Sequence, residues 1–272
     1  MSHFRTLEVS DPALEPEGLR FVTVKSAALG HRADITLFVP PQAQALHNVP
    51  LVLLLHGVYG SHWAWAFKAG THRTAQRLID CGDIPPMVLA MPSDGLWGDG
   101  SGYVAHATQD FERWIVDDVP AAVREVSGAC SEASPLFIAG LSMGGFGALR
   151  LVGKYTQRFA AAAAHSAITD VTQLDALLAE PRTAWCAAPQ DRSVFAALAT
   201  AVQVLPPLRF DCGRDDFLVA ANRQLHAELT AAGIAHEYAE HDGAHGWDYW
   251  ARHLEDTLRF FARTLDARKE TP

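Results

Sequence analysis

Residues 140–145 carry the strongest chemical signal in the sequence. They are Gly-Leu-Ser-Met-Gly-Gly, a GxSxG pattern with Ser142 at its centre, and they follow the apolar run 135–139. In a nucleophile elbow a serine takes this place on a strained turn between a strand and a helix, and the flanking glycines let neighbouring segments pass close by. Ser142 is therefore the candidate nucleophile for acyl transfer.

Asp216 is the candidate for the acid that such a serine requires. A hydroxyl is a poor nucleophile until a base takes its proton, and on this type of turn the acid and the histidine follow the serine along the chain. Asp216 comes after the predicted strand 208–212, and the loop at the C-terminal end of a strand is where such an acid belongs. Asp215 is the alternative, and both residues could instead cap the helix that follows.

His245 is the candidate for the base. It lies in the glycine-containing turn 242–247, between the last predicted strand and the last predicted helix. His241 is the alternative, but it lies at the strand end instead of in the turn. No metal site is expected, because His241 follows His236 by five residues and the helical HExxH motif needs four.

Two backbone N–H groups are needed to stabilise the negative charge that develops on the substrate oxygen. The N–H of Met143, directly after the serine, is one candidate. The N–H of Val58 is the other, because Val58 lies in the flexible turn 56–60 after the predicted strand 51–55. The alternative is that this turn only connects a strand to a loop.

Aromatic residues in loops near the predicted site are candidates for contacts with the acyl or aryl group of a substrate, although aromatic side chains also cover apolar surface. They are Tyr59, Trp63, Trp97 and Tyr103.

Residues 169–204 are rich in Ala and Leu, are broken at Pro181 and Pro189, and fit no βαβ repeat. We predict a short helical insertion there that caps the site.

The remaining chain alternates short apolar runs with helical patterns, which is typical of βαβ units and a mostly parallel sheet. The predicted strands are 19–25, 33–39, 51–55, 87–91, 135–139, 208–212 and 236–240, and the first two form an antiparallel hairpin at the sheet edge. The predicted helices are 110–126 with a kink at Pro120, a helix after Ser142, 219–232 and 247–265. Together with the elbow, this order predicts an α/β-hydrolase fold, a mostly parallel central sheet flanked by helices, in a single domain over residues 1–272.

Composition narrows the class of protein. The chain has 272 residues, enough for one large core, and its formal net charge of -9 without any basic run argues against nucleic acid or an anionic membrane as a partner. Residues 1–10 lack the apolar segment of a secretory signal, and apolar runs such as 159–164 are far shorter than the roughly 20 residues that span a bilayer. The four scattered cysteines are expected to be reduced thiols in a cytoplasmic protein.

These motifs resemble the esterase D-like family, which includes S-formylglutathione hydrolases, tributyrin-type carboxylesterases, feruloyl esterases and mycobacterial mycolyltransferases. The matching segments are 55–57 with Gly60 and a following Trp, 140–149, 212–218 and 243–250, and they extend from about residue 26 to the last helix. The resemblance implies Ser142, Asp216 and His245 as a triad, with Val58 and Met143 as oxyanion donors. The phenylalanine at position 146, after the double glycine, resembles the small carboxylesterases in this motif, whereas S-formylglutathione hydrolases usually carry a histidine there.

The sequence therefore predicts a serine carboxylesterase that acts on small acyl esters without a cofactor or metal. Its expected partner is a small-molecule ester, and a homo-oligomer is compatible with the sequence. The alternatives are a thioesterase of the S-formylglutathione hydrolase type and an acyltransferase that uses the same three residues on an alcohol or sugar. A non-catalytic binding module is less favoured, because every catalytic residue type is present in the right order.

Overall fold

One nine-stranded sheet lies at the centre of the computed structural model, which describes residues 2–270. The strands are β1 (Leu7–Val9), β2 (Leu19–Lys25), β3 (Arg32–Phe38), β4 (Leu51–Leu55), β5 (Val88–Pro92), β6 (Leu136–Leu141), β7 (Ala161–His165), β8 (Leu208–Gly213) and β9 (Glu237–His241). Their order is β1-β2-β3-β5-β4-β6-β7-β8-β9. The first three strands are antiparallel, and β3 also pairs antiparallel with β5. All pairings from β5 to β9 are parallel, so the predicted mostly parallel sheet is confirmed.

Helices cover both faces of this sheet. They are α1 (Ala64–Ala69), α2 (Thr71–Asp80), α3 (Phe111–Arg113), α4 (Val119–Ser127), α5 (Met143–Lys154), α6 (Val194–Ala199), α7 (Val219–Ala231) and α8 (Trp247–Glu270). Buried residues of α1, α2 and α8 belong to one apolar layer, and those of α3 to α7 belong to the other. Side chains of the central strand β4 alternate between the two layers. Val52 and Leu54 pack in the first layer, and Leu51, Leu53 and Leu55 pack in the second.

The predicted kink at Pro120 takes the form of a π-helical turn. Residues Trp114–Asp118 form this turn between α3 and α4, and Pro120 lies in the first turn of α4. Proline has no N–H to donate to the carbonyl of Val116, four residues earlier. The Arg158 guanidinium donates to that carbonyl instead, at 2.7 Å.

The insertion at residues 169–204 consists mostly of short 3-10 helices, with α6 as its α-helix. Its segment 177–180 is fastened to two loops at the carboxyl ends of the parallel strands. The Tyr59 hydroxyl donates to the Leu177 carbonyl, and the Ala179 N–H donates to the Asp99 carboxylate at 2.8 Å. The Asp99 N–H in turn donates to Glu180 at 3.0 Å. The insertion therefore borders the edge of the sheet where Ser142 lies.

Several elements are absent from the sequence prediction. They are β1, β7, α1 and α2.

All four cysteines are free thiols, with Cys130 and Cys212 buried. Within residues 2–270, none of the helices combines the length and the apolar character that crossing a bilayer requires.

Candidate active site

Ser142 lies on the sharp turn between β6 and α5. Its backbone has a φ of 53° and a ψ of -118°, in a region that residues other than glycine rarely adopt. Gly140 and Gly144 make the turn possible, because a Cβ atom on Gly140 would lie 2.2 Å from the Gly144 carbonyl oxygen. The turn therefore places the Ser142 side chain at the carboxyl end of the central strands.

Three of the predicted residues form one hydrogen-bonded line. The His245 Nε2 atom lies 3.1 Å from the Ser142 hydroxyl oxygen, and His245 Nδ1 lies 2.8 Å from an Asp216 carboxylate oxygen. An ionised carboxylate only accepts, so the proton is assigned to Nδ1, which leaves Nε2 free to accept a proton from the serine. The structure thus brings together the residues that the sequence analysis selected from distant segments.

The two alternatives lie elsewhere. The Asp215 side chain is exposed, and its backbone N–H donates to the Gly243 carbonyl at 3.0 Å. The His241 ring stacks on the His253 ring, with 4.1 Å between their centroids. The geometry therefore favours Asp216 over Asp215 and His245 over His241.

Asp216 is held as a carboxylate by the groups around it. Its side chain accepts from the Leu218 N–H at 2.8 Å as well as from His245. Burial raises the pKa of Asp216, but the hydrogen bonds from His245, from the Leu218 N–H and from the Ser166 hydroxyl together outweigh burial, so the pKa lies below its ordinary value. The indole N–H of Trp250 donates to the Ser166 oxygen at 3.2 Å and fixes that hydroxyl. Ser166 has no signal in the sequence and was not predicted.

The loops that carry Asp216 and His245 are bonded to each other. They follow the adjacent parallel strands β8 and β9, and the Arg214 N–H donates to the His241 carbonyl at 2.8 Å. A Cβ atom on Gly213 would lie 2.2 Å from the Gly243 carbonyl oxygen, so the two loops can approach this closely only with glycine at 213. The strand pairing therefore sets the distance between acid and imidazole.

The loop after β4 packs directly against the Ser142 turn. A Cβ atom on Gly57 would lie 3.2 Å from the Ser142 Cβ, and one on Gly144 would lie 2.3 Å from the Leu55 carbonyl oxygen. Val58 follows in this loop and is half-buried. Met143 is the first residue of α5, so its N–H has no partner inside the helix. The two predicted N–H donors therefore lie on segments that meet at Ser142.

His56 fixes the shape of this loop from within. Its ring is buried, and Nε2 accepts from the Asp94 N–H at 3.0 Å, so the ring proton is assigned to Nδ1, which donates to the Gly57 carbonyl at 2.6 Å. The Tyr103 hydroxyl donates to the His56 carbonyl at 3.0 Å. The loop beside Ser142 is thus held by three hydrogen bonds that involve a single residue.

A cleft of about 330 Å³ opens beside Ser142 and His245. Its walls are largely aromatic and aliphatic, and the lining residues are Gly57, Val58, Tyr59, Gly60, Trp63, Ala64, Lys68, Leu141, Ser142, Leu177, Phe217, His245, Gly246, Trp247 and Trp250. Tyr59 and Trp63 were predicted from the sequence. Phe217, whose ring centroid lies 4.5 Å from that of His245, and Trp247 were not, although both are close neighbours of predicted residues in the chain.

The structure does not bring Tyr103 and Trp97 into this lining. Tyr103 is fully buried beneath the loop after β4, and burial raises the pKa of its hydroxyl well above the ordinary value, so the group remains a donor to His56. The Trp97 ring packs edge-on against the His106 ring, with 4.6 Å between centroids. The prediction that these two side chains contact substrate is therefore corrected: Tyr103 holds the loop after β4, and Trp97 packs on His106 outside the cleft lining.

Comparison with known proteins places these features in a family. The family model described as "Putative esterase" matches residues 26–261. An acetyl esterase of Caldicellulosiruptor saccharolyticus is 27% identical over 238 residues, which cover 80% of this chain and 85% of that protein. An S-formylglutathione hydrolase of Arabidopsis thaliana is 25% identical over 157 residues, 53% of this chain and 55% of that protein.

Solved structures share the fold at lower identity. A ferulic acid esterase superposes with a TM-score of 0.75 at 23% identity, covering 96% of this chain and 99% of its own. An S-formylglutathione hydrolase from Staphylococcus aureus superposes with a TM-score of 0.77 at 18% identity, covering 94% and 99%. The α/β-hydrolase fold and the resemblance to esterase D-like proteins are confirmed. Because the family model covers most of the chain, the protein belongs to this esterase family and is a carboxylic ester hydrolase.

Proposed function

We propose that the protein is a serine carboxylesterase that cleaves small acyl esters at Ser142. One observation carries this proposal, namely the line of hydrogen bonds from the Ser142 hydroxyl through His245 to Asp216. Its distances of 3.1 and 2.8 Å suit proton transfer from the hydroxyl to a base that a carboxylate orients. The line ends in the aromatic cleft, where a substrate can reach the serine.

In the first half of the reaction the Ser142 oxygen attacks the ester carbonyl carbon while His245 Nε2 takes the hydroxyl proton. The carbonyl π electrons move to oxygen, and the resulting oxyanion accepts hydrogen bonds from the N–H groups of Val58 and Met143. When the tetrahedral intermediate collapses, the bond to the alcohol oxygen breaks, and that oxygen takes the proton from His245. The products are a free alcohol and an acyl group on Ser142.

In the second half a water molecule attacks the acyl carbon while His245 takes one of its protons. Collapse of the second intermediate returns the electron pair to the Ser142 oxygen, which recovers its proton from His245, and the carboxylic acid leaves. Asp216 accepts from Nδ1 throughout, so it keeps the imidazole in the required tautomer and stabilises the imidazolium. No cofactor takes part in this scheme.

The preference for small acyl groups rests on the size of the cleft. A volume of about 330 Å³ lies near the lower end of the range of roughly 300–1,000 Å³ for small-molecule pockets. The match to a protein named acetyl esterase supports the same preference. The Phe146 side chain is fully buried and does not line the cleft, so it offers no argument against an S-formyl thioester.

Hydrolysis rates on p-nitrophenyl esters of increasing chain length, together with a feruloyl ester and S-formylglutathione, test this proposal. We expect kcat/KM to be highest for short acyl esters, and Ser142→Ala to lower kcat by roughly 10⁴-fold or more. Ser131→Ala, in the connection between α4 and β6, is the matched control and keeps the wild-type rate. Turnover that survives in Ser142→Ala contradicts the mechanism, and a higher kcat/KM for S-formylglutathione than for every oxygen ester favours the thioesterase.

A further inference from the structure

Lys68 gives the cleft a positive charge that the mechanism does not use. Among residues 2–270, which the structure describes, those that line the cleft include this one lysine and no Asp, Glu or Arg. The chain as a whole has 31 acidic residues against 22 Lys and Arg. The cleft lining therefore carries one positive charge on a protein whose net charge is negative.

Two tryptophan rings hold the Lys68 ammonium group at the cleft wall. The Nζ atom lies 5.8 Å from the centroid of Trp63 and 5.6 Å from that of Trp247, which is the range of cation–π contacts. Trp247 packs edge-to-face on Trp250, and Trp250 packs edge-to-face on His245, with centroids 5.2 and 4.9 Å apart. Two successive ring contacts thus connect the ring beside Lys68 to the imidazole.

No carboxylate of the described chain neutralises Lys68. Its contacts among residues 2–270 are the two ring contacts, and no Asp or Glu oxygen lies within ion-pair distance of it. Lys154 shows the contrast, because it pairs with Glu112 at 2.8 Å and with Asp191 at 3.2 Å. The Lys68 ammonium is therefore available to a ligand that enters the cleft.

We propose that Lys68 binds a carboxylate on the substrate, so that the preferred substrates are small esters that carry a carboxylate in addition to the reacting ester. This inference rests on the proposed function, since it names the substrate class for the same cleft. An ammonium group donates charge-assisted hydrogen bonds to a carboxylate, and the Trp63 and Trp247 rings keep this ammonium group at the cleft wall. Lys68 is a specificity residue in this scheme and takes no part in bond cleavage.

Two matched pairs of esters test the inference. Mono-p-nitrophenyl glutarate and its methyl ester differ only in a carboxylate on the acyl side, and para-acetoxybenzoate and its methyl ester differ only in a carboxylate on the alcohol side. For each pair the ratio of kcat/KM, charged over neutral, is measured after subtraction of the uncatalysed rate. The pair that responds to Lys68 shows which part of the substrate faces this residue.

In at least one pair we expect Lys68→Gln to lower the ratio by about three- to fivefold, as for other partly exposed ion pairs, and Lys68→Glu to lower it further. Lys68→Arg keeps most of the preference, and added salt reduces the ratio in the wild type. Lys25→Gln is the matched control, because Lys25 is exposed on β2 outside the cleft, and it keeps the wild-type ratio.

An unchanged ratio in Lys68→Gln for both pairs overturns the inference, and so does an equal fall in Lys25→Gln, which would indicate an effect of net charge. The neutral esters separate this failure from a failure of the proposed function. If they are hydrolysed and Ser142→Ala abolishes that hydrolysis, the proposed function stands whatever the ratio does. Absence of Ser142-dependent turnover on all four esters overturns both.

Discussion

Both carboxylate oxygens of Asp216 face the same atom of His245, with Nδ1 at 2.8 and 3.0 Å. The aspartate therefore accepts one N–H in a nearly symmetric arrangement, and it can do so only while the imidazole proton is on Nδ1. The same carboxylate also accepts the Leu218 N–H, which fixes its orientation before substrate arrives.

Asp216→Asn tests this relationship. An amide presents an N–H2 group as well as an oxygen, so it can stabilise the tautomer with the proton on Nε2, which cannot accept the Ser142 proton. We expect kcat to fall by roughly 10⁴-fold in assays of p-nitrophenyl acetate, with little change in the free energy of unfolding. Asp215→Asn changes the exposed neighbour and serves as the control. A similar fall in kcat for Asp215→Asn would contradict the assignment of Asp216 as the acid of the triad.

Tyr103 and Trp63 are predicted to affect different kinetic constants. Tyr103→Phe removes the donor to the His56 carbonyl and loosens the loop beside Ser142, so we expect kcat to fall about three- to tenfold at nearly constant KM. Trp63→Ala removes a cleft wall, so we expect mainly a higher KM. Steady-state kinetics on one short ester separates the two, and a rise in KM at unchanged kcat for Tyr103→Phe would contradict the role of Tyr103 in holding the loop beside Ser142.

Asp211 is predicted to stabilise the fold in a pH-dependent way. It is fully buried and accepts from His165 Nδ1 and from the Tyr249 hydroxyl, each at 2.9 Å. Burial raises the pKa of Asp211, but His165 and Arg209 outweigh burial, so the pKa lies well below its ordinary value. A carboxyl whose pKa is lower in the folded than in the unfolded chain stabilises the fold above about pH 4 and loses this contribution as pH falls below that value.

We therefore expect Asp211→Asn to lower the free energy of unfolding by roughly 3 kcal/mol at neutral pH, and the difference from wild type to narrow below about pH 4. Urea unfolding at several pH values measures this. Asp83→Asn breaks an exposed ion pair with Arg259 and is the control, for which we expect less than about 1 kcal/mol. If the difference in the free energy of unfolding between Asp211→Asn and wild type stays constant from neutral pH to below about pH 4, the result would contradict a lowered pKa of Asp211 in the folded chain.

Much of the sheet could be predicted because its strands are continuous apolar runs, as for Leu51–Leu55, which has the predicted bounds. Ala161–His165 could not, because alanine has a weak preference for strands. The structure gives the reason for one of these small residues. A Cβ atom on Gly145 would lie 3.3 Å from the Ala164 Cβ, so α5 packs closely on β7 at Ala164 and leaves little room for a larger side chain there.

The reactive residues could be predicted because their order along the chain and their places at strand ends are set by the chemistry. The cleft walls could not, because sequence proximity to a motif does not show which way a ring points. Tyr103 points into the core, whereas Phe217 is 63% exposed at the cleft. Lys68 gave no signal, since only the fold brings it beside Trp247.

Labelling with a fluorophosphonate, followed by intact-protein and peptide mass spectrometry, tests the central claim most directly. We predict one adduct per chain on Ser142, loss of ester hydrolysis in proportion to labelling, and no adduct in Ser142→Ala. A protein fully labelled on Ser142 that still hydrolyses esters, or inactivation through an adduct on a different residue, would contradict the proposed mechanism.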